Sequence, residues 1–411
     1  MPLITLILLF AFVQDAHAYI DPGTGSILIS FLISIVITII YYLKSIFYRS
    51  MGFFSSSKKS NNLDFTDQIV IYNEGNNYWH VFKPLVEALC KAGVHFNYLS
   101  SDKDDHCREI DSEYCNFLYL GDINKSIIML NHIKAKIVVM TTPQLEILKL
   151  RKSRYVKHYC HLLHAPVDIH TYKKFAFDYF DSVMCTSQFQ VDNLRYLESL
   201  RNREPKLLLE TGCTYYDDFN ISEEFCDDYV LVAPTWGDKS ALLKHSKDIM
   251  NTLLSADFKV IFRPHPQSYI SENDKMRDIE NEFENHKNFI FDKEISNQSS
   301  LGKSRVMIAD FSGIVWDYCF LYQRMPIVID SDQKMYGYEG YDISTRNSIY
   351  EIINEIGKIV DEKDVGSIDE IINTVKTDKS AFSAIREKYL FNFQNAGPVA
   401  ARQLLELNER I

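Results

Sequence analysis

Four short segments of this 411-residue chain carry residue types that act on phosphate esters and hydroxyl groups. In the run from Cys160 to Pro166 (CHLLHAP), His164 follows an apolar stretch and precedes Ala-Pro, which ends regular pairing. An imidazole there suits proton abstraction from a hydroxyl, because its ordinary pKa lies near neutrality. From Ala233 to Asp238 (APTWGD), Thr235 and the turn's amides suit a phosphate or ribose, while Asp238 also reads as a plain helix cap. From Arg263 to Pro266 (RPHP), two prolines stiffen a loop that carries Arg263 and His265. Two donors on a rigid loop can hold a diphosphate with little reorganisation. From Ala309 to Asp317 (ADFSGIVWD), a helix is expected to begin at Ser312 or Gly313, so that the Ser312 hydroxyl and the following amides form an anion site. Asp310 would cap or orient that loop, and Asp317 would lie a turn or two into the helix. The plainer alternative for Ser312 is an ordinary N-cap worth about 1 kcal/mol.

The three-residue spacing of His158, His161 and His164 also invites a metal reading. A strand, however, points His158 and His161 to opposite faces. With no dense carboxylate cluster, neither a metal nor a cofactor is expected.

These segments need strand ends to position them. From residue 67 the sequence alternates short apolar runs with amphipathic stretches, the pattern of βαβ units. Runs at 68–72, 94–99, 117–120, 136–140, 158–163, 182–185 and 206–210 predict a first sheet. Runs at 229–233, 259–262, 289–291, 306–309 and 326–330 predict a second. A helix is expected over 79–92, and the polar, acidic stretch 213–228 reads as a linker. The fold class is α/β: two doubly wound Rossmann-type domains facing a cleft, the GT-B architecture, over residues 67–212 and 228–379. Helices over 380–411 are long enough to cross back to the first domain. In such sheets ligands bind at the carboxyl ends of strands, where all four segments fall.

Composition agrees with a globular chain, at 46% hydrophobic and 24% charged residues, and the net charge of −11 argues against nucleic acid as partner. Eight cysteines without a CxxC pair read as reduced thiols. Residues 1–25 hold a first apolar segment whose Ala16-x-Ala18 spacing suits signal peptidase, or which stays as an uncleaved span. Residues 26–44 contain an uncharged run, Ile27 to Leu43, read as a transmembrane helix. Residues 45–66 form a basic, serine-rich linker. Lys44, Arg49, Lys58 and Lys59 place that side in the cytoplasm.

Taken in this order on these strand ends, the segments resemble the CDP-glycerol glycerophosphotransferase family, which includes teichoic acid primases and polymerases. His164 to Pro166 stands for the family's HGTP-like motif, Ala233 to Trp236 for its APTW-type turn, and Arg263 to Pro266 for its RPHP loop. Asp310 to Gly313 with Trp316 and Asp317 stands for its DYSS-like loop and FD pair. Met325 to Asp330, Tyr336 and Asn395 to Pro398 look like later family segments. Two departures stand out: Ala165 alone replaces a glycine-threonine pair, and Gly313 replaces a second serine. The resemblance implies transfer of a polyol phosphate from CDP-glycerol or a similar donor to a lipid-linked or polymeric glycan, releasing CMP. It implies His164 as base, Arg263 and His265 on the donor diphosphate, and Ser312 with the Gly313 amide on phosphate, supported by Asp310 and Asp317. It also implies a bacterial inner-membrane enzyme with its catalytic domains on the cytoplasmic side, serving teichoic acid or capsule synthesis. The alternatives are a GT-B glycosyltransferase using a nucleotide-sugar and a membrane-anchored scaffold with an inactive cleft. Donor assays separate the first, and activity of histidine variants the second.

Overall fold

A computed structural model describes residues 63–411 apart from 165, 220–228, 238–239, 295, 331–336, 344–347 and 375–378, together with Ile35, Val36 and Ile39. Those last three are helical. The remainder of the span expected over 27–43, the segment before it and most of the basic linker lie outside the described residues, as do Ala165, Asp238 and Tyr336. Among the described residues no helix is long and apolar enough to cross a membrane.

Seven parallel strands form the first sheet: β1 (Asp64–Asn73), β2 (Phe96–Ser100), β3 (Cys115–Tyr119), β4 (Lys134–Met140), β5 (Val156–Leu162), β6 (Ser182–Cys185) and β7 (Leu207–Glu210). Their spatial order is β3-β2-β1-β4-β5-β6-β7. A second, six-stranded sheet contains β8 (Tyr229–Ala233), β9 (Lys259–Phe262), β10 (Phe289–Phe291), β11 (Ser304–Ala309), β12 (Pro326–Asp330) and β13 (Lys358–Asp361), in the order β10-β9-β8-β11-β12-β13. The central strands are continuous apolar runs, Ile69 to Tyr72 and Val230 to Ala233, because helices cover both faces of a parallel sheet. Strand order reverses between β1 and β4 and between β8 and β11, which opens a crevice at each carboxyl edge. The sequence reading missed β13, whose two apolar residues, Ile359 and Val360, sit between charges.

The helix Gly313–Tyr322, directly after β11, is buried from Val315 through Tyr322. A helix apolar on all sides belongs inside a core, and Asp317 is carried in with it. Two connections tie the sheets together. Helix Ala396–Arg410 returns to pack on helix Trp79–Lys91, where a Cβ on Gly397 would lie 2.7 Å from Pro84 backbone and side-chain atoms. The stretch expected as linker begins with a packed 3-10 turn, Thr214–Asp218. There Thr214 Oγ1 donates to the Val81 carbonyl at 2.6 Å and Tyr216 is fully buried. Asp217 accepts from the amides of Ala396 and Gly397 at 3.0 and 2.6 Å and so caps the returning helix.

The second connection is the segment 337–343, which follows β12 and lies against residues 170–176 of the first domain. The Gly337 carbonyl accepts from the Lys174 amide at 3.0 Å, while the Glu339 and Gly340 amides donate to the Tyr172 and His170 carbonyls at 2.8 and 3.0 Å. Glu339 is fully buried, receives the Ala176 amide and pairs with Arg201, which also meets Asp178 and Asp342.

Candidate active site

The carboxyl ends of β5, β8, β9 and β11 surround one cavity of about 880 Å³. It is lined from the first domain by His80, His164 and His170 and from the second by Thr235, His265 and Ser312. Arg263, Gly313 and Asp317 also reach its wall. Asp310, by contrast, stays behind the cavity wall. Its fully buried carboxylate accepts from the Thr235 amide (3.0 Å), the Ser240 hydroxyl (2.5 Å) and the Leu242 amide (2.9 Å). Burial raises its pKa against those hydrogen bonds. Asp310 therefore ties the β8 loop to the β11 loop and positions the site without touching a ligand. The Thr235 amide is taken by that bond, so Thr235 offers its hydroxyl alone. Ser240 caps the next helical turn through the Leu243 amide at 2.9 Å, the role expected of Asp238.

The helix start at Gly313 departs from an ordinary N-cap. Ser312 has extended backbone, but its hydroxyl makes no capping bond and has no hydrogen-bond partner. A Cβ on Gly313 would meet nothing within 4 Å. A free hydroxyl, helix amides with their partial positive charge and open space above them are what an anion requires.

Arg263 is held more firmly than its loop position suggests. Its guanidinium donates to Asp292 at 2.5 Å and to the Glu294 carbonyl at 2.9 Å. Burial pushes the Asp292 carboxyl up, but Ser300, the Glu294 amide and Arg263 outweigh it and hold the pKa below the usual range. In the same loop His265 Nδ1 accepts the Gln267 amide at 3.1 Å, so the neutral ring carries its proton on Nε2, as a donor. Desolvation lowers its pKa, opposed by Glu272.

Across the cavity, His164 Nδ1 lies 3.2 Å from the Tyr172 hydroxyl, and Tyr78 packs edge-on at 5.2 Å between ring centroids. Burial, with His80 adding to it, pushes its pKa down to about 4. This departs from the near-neutral value expected of a strand-end histidine. The ring is neutral at physiological pH, with a lone pair but weak basicity. His158 and His161 part as a strand requires: His158 Nε2 meets Ser182 at 2.7 Å, while His161 is buried against Phe177 and Phe180. Among the described residues no three His, Cys, Asp or Glu side chains gather as metal ligands would. The seven described cysteines are free thiols.

Asp317 lines the cavity from inside the buried helix, accepting from the Tyr216 hydroxyl at 3.1 Å, with Asn297 Nδ2 at 3.4 Å. Burial raises its pKa to about 8. At neutral pH it is a carboxylic acid that can donate a hydrogen bond.

Sequence reasoning missed His80, Asp168 and His170. The last two sit just past Pro166, and their alternate spacing was the available signal.

With this geometry described, comparison with known proteins is informative. Residues 212–401 match the family CDP-Glycerol:Poly(glycerophosphate) glycerophosphotransferase. The chain is an enzyme of the glycerophosphotransferase type. The resemblance to this family is thus borne out, with the segments at 233–238, 263–266 and 309–317 inside the matched residues and the His164 segment before them. No curated protein sequence matches. Among solved structures, the wall teichoic acid polymerase TagF is similar at 14% identity and a TM-score of 0.51, over 91% of this chain and 96% of that one. The UDP-GlcNAc 2-epimerase of Methanocaldococcus jannaschii, solved with UDP-GlcNAc and UDP, matches at 12% identity and a TM-score of 0.51, over 83% and 99%. MnaA of S. aureus with UDP matches at 13% and 0.51, over 84% and 96%. At these identities the structures establish the shared two-domain fold.

Proposed function

We propose that the protein transfers glycerol phosphate, or a related polyol phosphate, from a CDP-linked donor to a hydroxyl of a membrane-associated glycan or teichoic-acid-like polymer, releasing CMP. The observation that supports this best is the partnerless Ser312 hydroxyl beside the open Gly313 amide, an anion seat facing neutral imidazoles across one cavity. The donor diphosphate sits on that helix end. The His265 Nε2–H, on a loop stiffened by the Arg263–Asp292 pair, holds the departing phosphate, and protonated Asp317 donates to another phosphate oxygen. The acceptor oxygen forms a bond to the phosphorus bearing the polyol, the bond to CMP breaks, and CMP leaves with the electron pair. The hydroxyl proton passes to an imidazole of the first-domain wall. His164 occupies the motif position for that role, and the donor's negative charge counteracts the depression of its pKa.

The uncharged run 27–43 anchors the chain, with the basic residues after it on the cytoplasmic side, where CDP-activated donors are made. The test is nucleotide release by the full chain given CDP-glycerol, CDP-ribitol or UDP-sugars with membrane acceptors. CMP with polyol phosphate attached to the acceptor is expected. UDP release with sugar transfer instead identifies a nucleotide-sugar glycosyltransferase and removes the proposal.

A further inference from the structure

The first-domain wall contains a second imidazole with a better-built environment than that of His164. Both His170 and Asp168 are more than nine-tenths buried yet reach the cavity, and Asp168 Oδ1 lies 3.1 Å from His170 Nδ1. The carboxylate does not swing freely, because the same oxygen accepts from the Ile169 amide at 2.9 Å and from Asn193 Nδ2 at 3.0 Å. The backbone is pinned as well, since the His170 carbonyl accepts the Gly340 amide from the other domain. His170 Nδ1 is a buried polar atom without a hydrogen bond of good geometry. Base–orienter contacts are often loose before substrate binds and tighten in the complex.

We infer that His170, oriented by Asp168, is the catalytic base that accepts the acceptor hydroxyl's proton, and that His164 acts beside it as a neutral hydrogen-bonding partner. The arrangement the reaction requires is carboxylate, imidazole, hydroxyl: rotation of the ring turns Nδ1–H onto Asp168, 3.1 Å away, and Nε2 keeps its lone pair for the acceptor. As the new O–P bond forms, the proton moves from the acceptor oxygen to Nε2. The electron pair of the breaking P–O bond leaves with CMP, and the imidazolium is stabilised by Asp168 until it releases the proton to solvent. His164 is less suited, because the Tyr172 hydroxyl engages its Nδ1 and no Asp or Glu among the described residues is hydrogen-bonded to its ring. Asp168 acts through His170 and is a positioning residue. The inference rests on the phosphotransferase reading above.

The test compares the full-length wild type with His170→Ala, His170→Gln, Asp168→Asn and His164→Ala, using CDP-glycerol and membrane acceptor. His170→Ala should lower kcat by about 100-fold or more, the usual share of a general base, while the donor KM and CMP affinity by calorimetry stay within about twofold. Added imidazole should restore part of the activity of His170→Ala, and not that of Asp168→Asn. His170→Gln keeps the wall filled should the alanine variant fold poorly, and is expected to be equally slow. Wild-type-like turnover in either His170 variant, or a parallel loss of CMP binding without imidazole rescue, overturns the inference and leaves the phosphotransferase reading standing. Absence of CMP release by the wild type with every CDP-polyol removes that reading and this inference together.

Discussion

Replacing Asp317 by Asn tests the charge state of the cavity floor. In the folded protein the carboxyl titrates near 8, against an ordinary 3.8, and burial is the cause. Through that window the folded chain keeps a proton that the unfolded chain has released, so stability falls as pH rises and levels off above about 8. At pH 7 the penalty is at most about 4.5 kcal/mol, taking about 1.4 kcal/mol for each pH unit above 3.8. Asn keeps an acceptor for Tyr216 and removes the titration. It places an amide nitrogen near Asn297 Nδ2, which offsets part of the gain. The expected outcome is a stabilisation of about 1–3 kcal/mol at pH 7 that shrinks towards pH 4. Urea unfolding of both proteins from about pH 4 to about pH 9 measures it. An amide can still donate to phosphate, so the variant should keep its activity at pH 7 and lose the wild type's decline above about pH 8. An Asn variant less stable than wild type at pH 7, or a difference independent of pH, refutes an acid kept neutral by burial.

Ser312→Ala should leave the unfolding free energy from urea titration within about 0.5 kcal/mol of wild type, below the usual N-cap loss of about 1 kcal/mol, because the hydroxyl caps nothing. The same variant should weaken CMP binding several-fold by calorimetry. Gly313→Ser fits the open space and should fold normally, as a melting curve will show. Glu339→Ala leaves Arg201 beside two remaining carboxylates but removes its most buried partner. A loss of about 3 kcal/mol in urea is expected, with reduced acceptor turnover because the His170–Tyr172 backbone loosens. Gly397→Ala drives a methyl into Pro84 and should destabilise by about 1–3 kcal/mol in the same assay.

Much of the fold was legible because central parallel strands must be apolar on both faces, which leaves unbroken runs such as Ile69 to Tyr72. The four motifs were legible for a related reason: each follows such a run, and a strand's carboxyl end is where an α/β sheet presents polar residues. The strand β13 and the turn Thr214–Asp218 were not, since their few buried residues lie among charges and aromatics whose burial depends on distant partners.

What the sequence determined by itself was local: the order of the strands other than β13, the stiff Arg263–Pro266 loop and a helix start at Ser312 or Gly313. Tertiary structure decided what each site residue does. It withdrew Asp310 from the cavity, engaged Arg263 with Asp292, left the Ser312 hydroxyl free, and brought Asp168 and His170 to the wall. It also set protonation, pushing His164 down to about 4 and Asp317 up to about 8. The reason is physical: desolvation and hydrogen-bond partners come from elements far apart in the chain, so no local spacing encodes them.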